Sequence, residues 1–82
     1  MKNDNVSKYK DEFMAIGLKI GYLRRTRGLT QEQLAERAGI SAGFLSQIEA
    51  PNISVGMSLA TLFSIAEVLN VPPHKLLDNE PS

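Results

Sequence analysis

The chain has 82 residues, of which 43% are hydrophobic, and its nine basic and nine acidic side chains cancel to a formal charge of zero. This length fits one small domain, and the absence of cysteine excludes disulfides, thiolate metal sites and a cysteine nucleophile. The single histidine, His74, cannot build a multi-histidine metal site, so we expect neither a metal nor a cofactor.

The N-terminal third of the chain predicts a flexible start followed by one helix. Residues 1–8 are polar and show no periodicity, which is typical of a loose terminus. Gly28 suits the end of the helix because glycine adopts a left-handed conformation without strain. From Tyr9 onward, apolar residues recur at three- and four-residue steps and predict one buried helical face: Phe13, Ile16, Ile20 and Leu23.

Two short helices separated by a glycine follow. Thr30 is a candidate N-cap of the first, and Gln33 stands three residues later, as in a capping box. Gly39 ends this helix, and Ser41 is a candidate cap for the next. The apolar residues of the pair predict a shared core: Leu34, Ala35, Ala38, Ile40, Leu45 and Ile48.

The rest of the chain predicts a loop and two further helices. A proline and a glycine break the pattern over residues 50–56. Ser58 can cap a fourth helix, which Asn70 can close, and Pro72 and Pro73 suit the first turn of a short fifth helix. The periodic apolar residues of the fourth helix are Leu59, Leu62, Ile65, Ala66 and Leu69.

These elements predict an all-α chain with five helices and no strand. We expect one domain over residues 9–78, a flexible segment over residues 1–8 and a frayed tail over residues 79–82. A helix of about eight residues, a short turn with glycine and a second helix form the pattern of a helix-turn-helix. The exposed side of its second helix would carry small, hydroxyl or amide side chains that can approach a surface: Ser41, Ala42, Gly43, Ser46 and Gln47.

At this point the sequence resembles the phage Cro/repressor (Cro/C1-type) helix-turn-helix family, also called the xenobiotic-response-element (XRE) family. The similarity rests on ordered segments: Leu23–Ala35 (LRRTRGLTQEQLA), Ala38–Ser41 (AGIS), Phe44–Glu49 (FLSQIE), Ser58–Leu62 (SLATL), Ile65–Ala66 (IA), Leu69–Val71 (LNV) and Leu76–Leu77 (LL). It covers about residues 13–78. The resemblance implies a compact five-helix, lambda-repressor-like DNA-binding domain, a fold found most often in transcription regulators.

The resemblance also assigns expected roles to residues. In that family, the third helix enters the major groove of double-stranded DNA, while the second helix approaches the phosphate backbone of the DNA. Gln47 is the main candidate for base contact because an amide can pair with adenine N7 and N6, although a solvated glutamine is the plain alternative. The base-contact candidates are Ser41, Ala42, Gly43, Ser46 and Gln47. The phosphate-contact candidates are Gln31, Lys19, Arg25, Arg27, Arg37, Asn52 and Ser54. The family further implies a structural ion pair between Arg24 and Glu49.

The charges are distributed unevenly along the chain. Residues 1–27 hold seven basic and three acidic side chains, whereas residues 28–82 hold two basic and six acidic ones. No lysine or arginine lies between Arg37 and Lys75, a stretch that includes the expected recognition helix. Arginine-to-guanine contacts are therefore not available to that helix, and we expect a shallow salt dependence of DNA binding.

Two functional classes remain open. The first is a sequence-specific DNA-binding transcription regulator, as a homodimer on a palindromic site. The second is a protein-interaction module, such as an antitoxin or co-regulator, that keeps the fold without strong DNA affinity.

The sequence shows no nucleophile–base pair and no glycine-rich phosphate loop, so we do not expect an enzyme. It also lacks a membrane-length apolar run and an apolar signal segment, so a cytoplasmic protein is expected. A region around Phe63, Val68 and Leu77 could serve either as a dimer surface or as core.

Overall fold

The computed structural model describes residues 8–78. The frayed tail expected over residues 79–82 lies outside the described residues, as does all but Lys8 of the flexible segment expected over residues 1–8. The described range contains five helices and no strand, which confirms the all-α prediction. The helices are α1 (Lys10–Thr26), α2 (Gln31–Ala38), α3 (Ala42–Glu49), α4 (Leu59–Leu69) and α5 (His74–Leu77).

The predicted caps set the helix starts. Thr30 forms a capping box with Gln33: its hydroxyl accepts the Gln33 backbone N–H at 3.0 Å, and the Gln33 side-chain oxygen accepts the Thr30 N–H at 2.9 Å. The hydroxyls of Ser41 and Ser58 accept the backbone N–H three residues on, at 3.0 and 3.1 Å. The one difference is at α5, where Pro73 is the N-cap, so both prolines precede the helix rather than lie in its first turn.

Left-handed residues follow three of the helices, and Gly28 has φ 71° after α1, as the sequence predicts. Gly39 has φ 76° after α2, and Asn70 has φ 60° after α4, as the sequence predicts for both positions. A side-chain carbon disfavours this conformation, which is why glycine is the common choice and asparagine the usual exception. The turn at Gly39 lets α3 fold back against α2 within three residues.

The core lies where α1 to α4 meet, and α5 closes one end through Leu76. Of the residues expected on the inner face of α1, Ile20 is fully buried, and Ile16 and Leu23 are half-buried against the core. Phe13 is half-buried near the start of the helix, outside this core cluster. The buried apolar residues are Ile20, Leu34, Ala35, Ala38, Leu45, Ile48, Leu62, Ile65, Ala66, Leu69 and Leu76.

The suggested dimer region divides into two parts in the structure. Val68 is half-buried and packs against the core, so its main role is structural. Phe63 and Leu77 remain 52% and 55% exposed.

Gly17 marks the closest approach between α1 and α3. A side-chain carbon placed at Gly17 would collide with the backbone carbonyl oxygen of Ile48. This neighbour is backbone at the end of α3, so it cannot move aside as a flexible side chain would. The glycine therefore allows the C-terminal end of α3 to lie directly on α1, a contact that the sequence pattern alone does not reveal.

We expect Gly17→Ala to lower the free energy of unfolding by about 1 to 3 kcal/mol, because overpacking outweighs the better helix propensity of alanine. Gly43→Ala is the matched control, since Gly43 lies in α3 and an added carbon there meets open space. It should leave stability unchanged or raise it by up to about 1 kcal/mol. Urea unfolding followed by circular dichroism measures both, and equal stabilities for the two variants would contradict the close contact.

Candidate nucleic-acid interface

Helix α3 has one buried face and one exposed face. Leu45 and Ile48 lie in the core, and Ala42 is half-buried and packs against it. Ala42 therefore offers less of its surface to a partner than the sequence alone implies. The other four candidates for base contact are exposed: Ser41, Gly43, Ser46 and Gln47.

Ser41 has a second role at the start of this helix. Its hydroxyl oxygen accepts the backbone N–H of Phe44, so one of its lone pairs is already engaged. Its hydroxyl hydrogen is still a donor that a phosphate or a base could accept. An exposed N-terminus of α3 also offers backbone N–H groups, which favour anions.

The carboxylate of Glu49, at the end of α3, is the point where three helices are joined. Arg24 of α1 donates from Nε to Oε2 at 2.8 Å and from Nη2 to Oε1 at 3.0 Å. Gln31 of α2 donates from Nε2 to Oε1 at 3.0 Å. The Glu49 side chain is 5% exposed and that of Arg24 is 12% exposed, so water screens this ion pair little.

Arg24 also fixes the turn between α1 and α2. Its Nη1 donates to the backbone carbonyl of Leu29 at 2.7 Å. One guanidinium therefore holds both the turn before α2 and the end of α3, using the planar fork that lysine lacks. The orientation of α3 relative to α2 depends on this side chain as well as on the glycine turn.

Gln31 is placed differently from the simple expectation of a free phosphate ligand. It is half-buried, and one hydrogen of its amide nitrogen is committed to Glu49. An amide nitrogen carries two hydrogens, so one donor remains for a partner. The sequence gives no local signal of this bond, because Gln31 and Glu49 are 18 residues apart.

Two of the basic phosphate candidates lie away from α3. Arg27 donates from Nε to the backbone carbonyl of Leu69 at 2.7 Å, which ties the end of α1 to the end of α4. Lys19 lines a small cavity with Leu23, Val71, Pro72 and Lys75, between α1 and the α4–α5 turn. The structure therefore does not bring either side chain together with the exposed face of α3.

The remaining phosphate candidates differ in accessibility. Arg25, Arg37 and Asn52 are exposed. Ser54 is half-buried, and its hydroxyl oxygen is shielded from solvent with no hydrogen-bond partner in the described part of the chain. Contact between Ser54 and a phosphate would require this side chain to turn outward.

Metal binding and membrane insertion are two other possible properties of residues 8–78. No group of three or more histidine, cysteine, aspartate or glutamate side chains in this range could hold a metal ion. None of the helices in the same range combines the length and the apolar character needed to cross a membrane.

A buried core, a glycine turn and an exposed polar second helix define a helix-turn-helix domain. The sequence profile of the helix-turn-helix family matches residues 20–76, and the chain belongs to this family. The profile covers all of α2 to α4, the C-terminal part of α1 from residue 20 onward, and all of α5 except Leu77.

Known relatives and solved structures agree with this assignment. The chain is 37% identical over 65 residues to the HTH-type transcriptional regulator SinR of Bacillus subtilis, a match that covers 79% of the chain and 58% of SinR. A crystal structure of the biofilm regulator SinR in complex with DNA matches with TM-score 0.71 and 38% identity, covering 77% of this chain and 98% of that chain. A complex of SinR with SinI protein matches with TM-score 0.71 and 38% identity, covering 77% of this chain and 60% of that one. The matched relative is named as a regulator, not as an enzyme, as the sequence analysis expects.

We expect Arg24→Met to lower the free energy of unfolding by about 3 kcal/mol, because it leaves the buried Glu49 carboxylate without its counter-charge. Arg37→Met is the matched control: this exposed arginine at the end of α2 should contribute less than about 0.5 kcal/mol. Denaturant unfolding measures both. A loss at Arg24 no larger than at Arg37 would show that the ion pair does not hold α3 in place.

Proposed function

We propose that this chain is a sequence-specific, double-stranded-DNA-binding transcription regulator that places α3 in the major groove. The observation that carries the proposal is the exposed polar face of α3, held by Glu49 to the two preceding helices. The family assignment supports it, as does the likeness to a regulator whose structure was solved with DNA. The chain spans 58% of the length of that regulator, so the proposal concerns the domain described above.

The chemistry of α3 favours A·T base pairs. The Gln47 amide can donate to N7 and accept from N6 of adenine. Within residues 8–78, no other part of the protein lies next to Gly43 on its side-chain face. Because glycine has no side chain, the helix backbone can approach the base edges closely at this position. The helix carries no lysine or arginine, so it has no donor fork for guanine.

Contacts with the DNA phosphates are proposed at the N-termini of α2 and α3. The N-termini of α2 and α3 present N–H groups, together with the free amide hydrogen of Gln31 and the hydroxyl of Ser41. Arg25, Arg37 and Asn52 are exposed and remain proposed phosphate ligands. We do not extend the proposal to Arg27, whose Nε is bonded to the Leu69 carbonyl.

We further propose that the protein acts as a homodimer on a palindromic operator. A single domain with few cations gains little affinity from phosphates, and two-fold symmetry doubles the contacts. The two recognition helices would then lie about 34 Å apart, one turn of DNA. We also propose that the protein acts in the cytoplasm, in keeping with a DNA-binding role.

A protein-interaction role is the second candidate. The neutral net charge and the absence of lysine and arginine from α3 and the following loop favour it. The similar protein SinR is known in a complex with SinI protein, which adds weight to a protein partner for this chain. Under this hypothesis, the fold is retained while DNA affinity stays weak.

A selection from a pool of random duplexes at two salt concentrations tests the proposal. We expect enrichment of an A·T-containing palindrome whose half-site centres lie about ten base pairs apart. Sequencing of the retained duplexes gives the operator directly. Weak binding without any enriched sequence, lost at moderate salt, would overturn the proposal and favour the protein-partner role.

The matched variant for this selection is Gln47→Ala. If Gln47 reads a base, the variant should lose discrimination at one position of each half-site, a cost of about 1 to 3 kcal/mol. Glu67→Ala, on the exposed side of α4, is the control and should select the same operator as the unmodified protein.

The salt dependence of binding to the selected operator provides a separate test. Because α3 and the loop lack cations, we expect release of counterions equivalent to about two to four phosphates per protomer. Fluorescence anisotropy across a salt series measures the slope of log affinity against log salt. A slope that corresponds to six or more phosphates per protomer would contradict the proposed interface.

A further inference from the structure

The outer face of α1 carries an apolar stripe that the described part of the chain leaves uncovered. Leu18 and Tyr22 are 49% and 56% exposed and lie one helical turn apart. Met14, one turn before Leu18, is half-buried. Ile20, on the opposite side of the helix, is fully buried in the core, so the stripe points away from the rest of the fold. We call these three residues the α1 stripe.

Two opposite charges bracket the α1 stripe symmetrically. Asp11 lies seven residues before Leu18, and Arg25 lies seven residues after it. Seven residues make nearly two helical turns, so both positions lie on the same side of α1 as Leu18. The Arg25 guanidinium packs over Gly21, near the Glu49 carboxylate, and has to turn outward to pair with a second copy. Asp11 and Arg25 are both exposed. The face therefore runs from negative through apolar to positive, with Leu18 at its centre.

This pattern is complementary to itself when reversed. In an antiparallel pair of α1 helices that cross at Leu18, Asp11 of each copy faces Arg25 of the other. Met14 then faces Tyr22, and the two Leu18 side chains meet at the two-fold axis. Such an isologous contact satisfies both charges and covers the apolar residues at once.

We propose that the α1 stripe, with Asp11 and Arg25, binds a second copy of this chain. In that contact Arg25 pairs with Asp11 of the second copy in place of a phosphate, so the two proposed roles of Arg25 are alternatives. The inference rests on the proposed homodimer and assigns its contact surface to α1, but it does not depend on DNA recognition. One helix pair is smaller than the roughly 800 Å² per partner of a standard interface, so the contact is weak in free solution. The zero net charge of the chain removes long-range repulsion between copies.

The exposed apolar residues of α4 fit a second copy less well. Leu59 and Phe63 are 66% and 52% exposed and also lie one turn apart. Glu67 is the only charged side chain in α4, so a reversed copy offers it no opposite charge. Charge complementarity therefore distinguishes the α1 stripe from this second patch.

Charge reversal tests the pairing. Asp11→Arg and Arg25→Asp each place two like-charged pairs in the contact, and we expect each to weaken self-association about tenfold at low ionic strength. The combined variant exchanges the two charges and should restore association to within about twofold of the unmodified chain. Sedimentation equilibrium over a concentration series measures the dimer dissociation constant for all four proteins.

Two further variants are controls that test whether the effect is specific to the α1 contact. Glu12→Arg makes the same charge change in the same helical turn as Asp11→Arg but about 100° around the helix, so association should not change. Phe63→Glu tests the α4 patch and should also have no effect. Circular dichroism checks that each variant is folded, which is expected because the substituted side chains are exposed.

The outcomes separate this inference from the proposed function. Restoration by the combined variant supports the α1 pairing. Self-association that Phe63→Glu abolishes and the charge reversals leave unchanged would overturn it, while the proposed homodimer would stand. A protein that stays monomeric at all concentrations would overturn both the α1 contact and the free homodimer, and the duplex selection would still decide DNA recognition.

Discussion

The orientation of α3 depends on the buried carboxylate of Glu49. Three donors from two other helices bind it: two nitrogens of Arg24 and the amide of Gln31. A carboxylate with so little exposure is costly to bury unless each oxygen is hydrogen-bonded, and here both are. The same group that closes the core therefore also sets the angle at which the exposed face of α3 is presented.

Two further constraints act through the backbone. Gly17 allows the Ile48 carbonyl to rest against α1, and Gly39 turns the chain between α2 and α3. Glu49 follows Ile48 directly, so the close approach at Gly17 brings its carboxylate within reach of Arg24. Packing and hydrogen bonding thus support the same placement of the helix-turn-helix, which links stability of the fold to the geometry of the proposed DNA contact.

The sequence predicts the helices well because their signals are local. Thr30, Ser41 and Ser58 are caps, and Gly39 and Asn70 close helices, all as expected from their immediate neighbours. The hydrogen bonds from Gln31 to Glu49 and from Arg27 to Leu69 span 18 and 42 residues, and no local pattern in the sequence predicts them. Candidate ligands chosen by charge or helix position alone therefore include side chains that the tertiary structure uses internally. Their contacts with DNA remain predictions.

The central claim is that DNA contacts the exposed face of α3 and the start of α2. Titration of the isotope-labelled protein with its selected duplex, followed by amide chemical shifts, tests this claim most directly. We expect the largest shifts at residues 31 and 41–47, with smaller shifts on α4 and α5. Shifts concentrated on α4 and α5, or shifts no larger than those with a scrambled duplex, would contradict it.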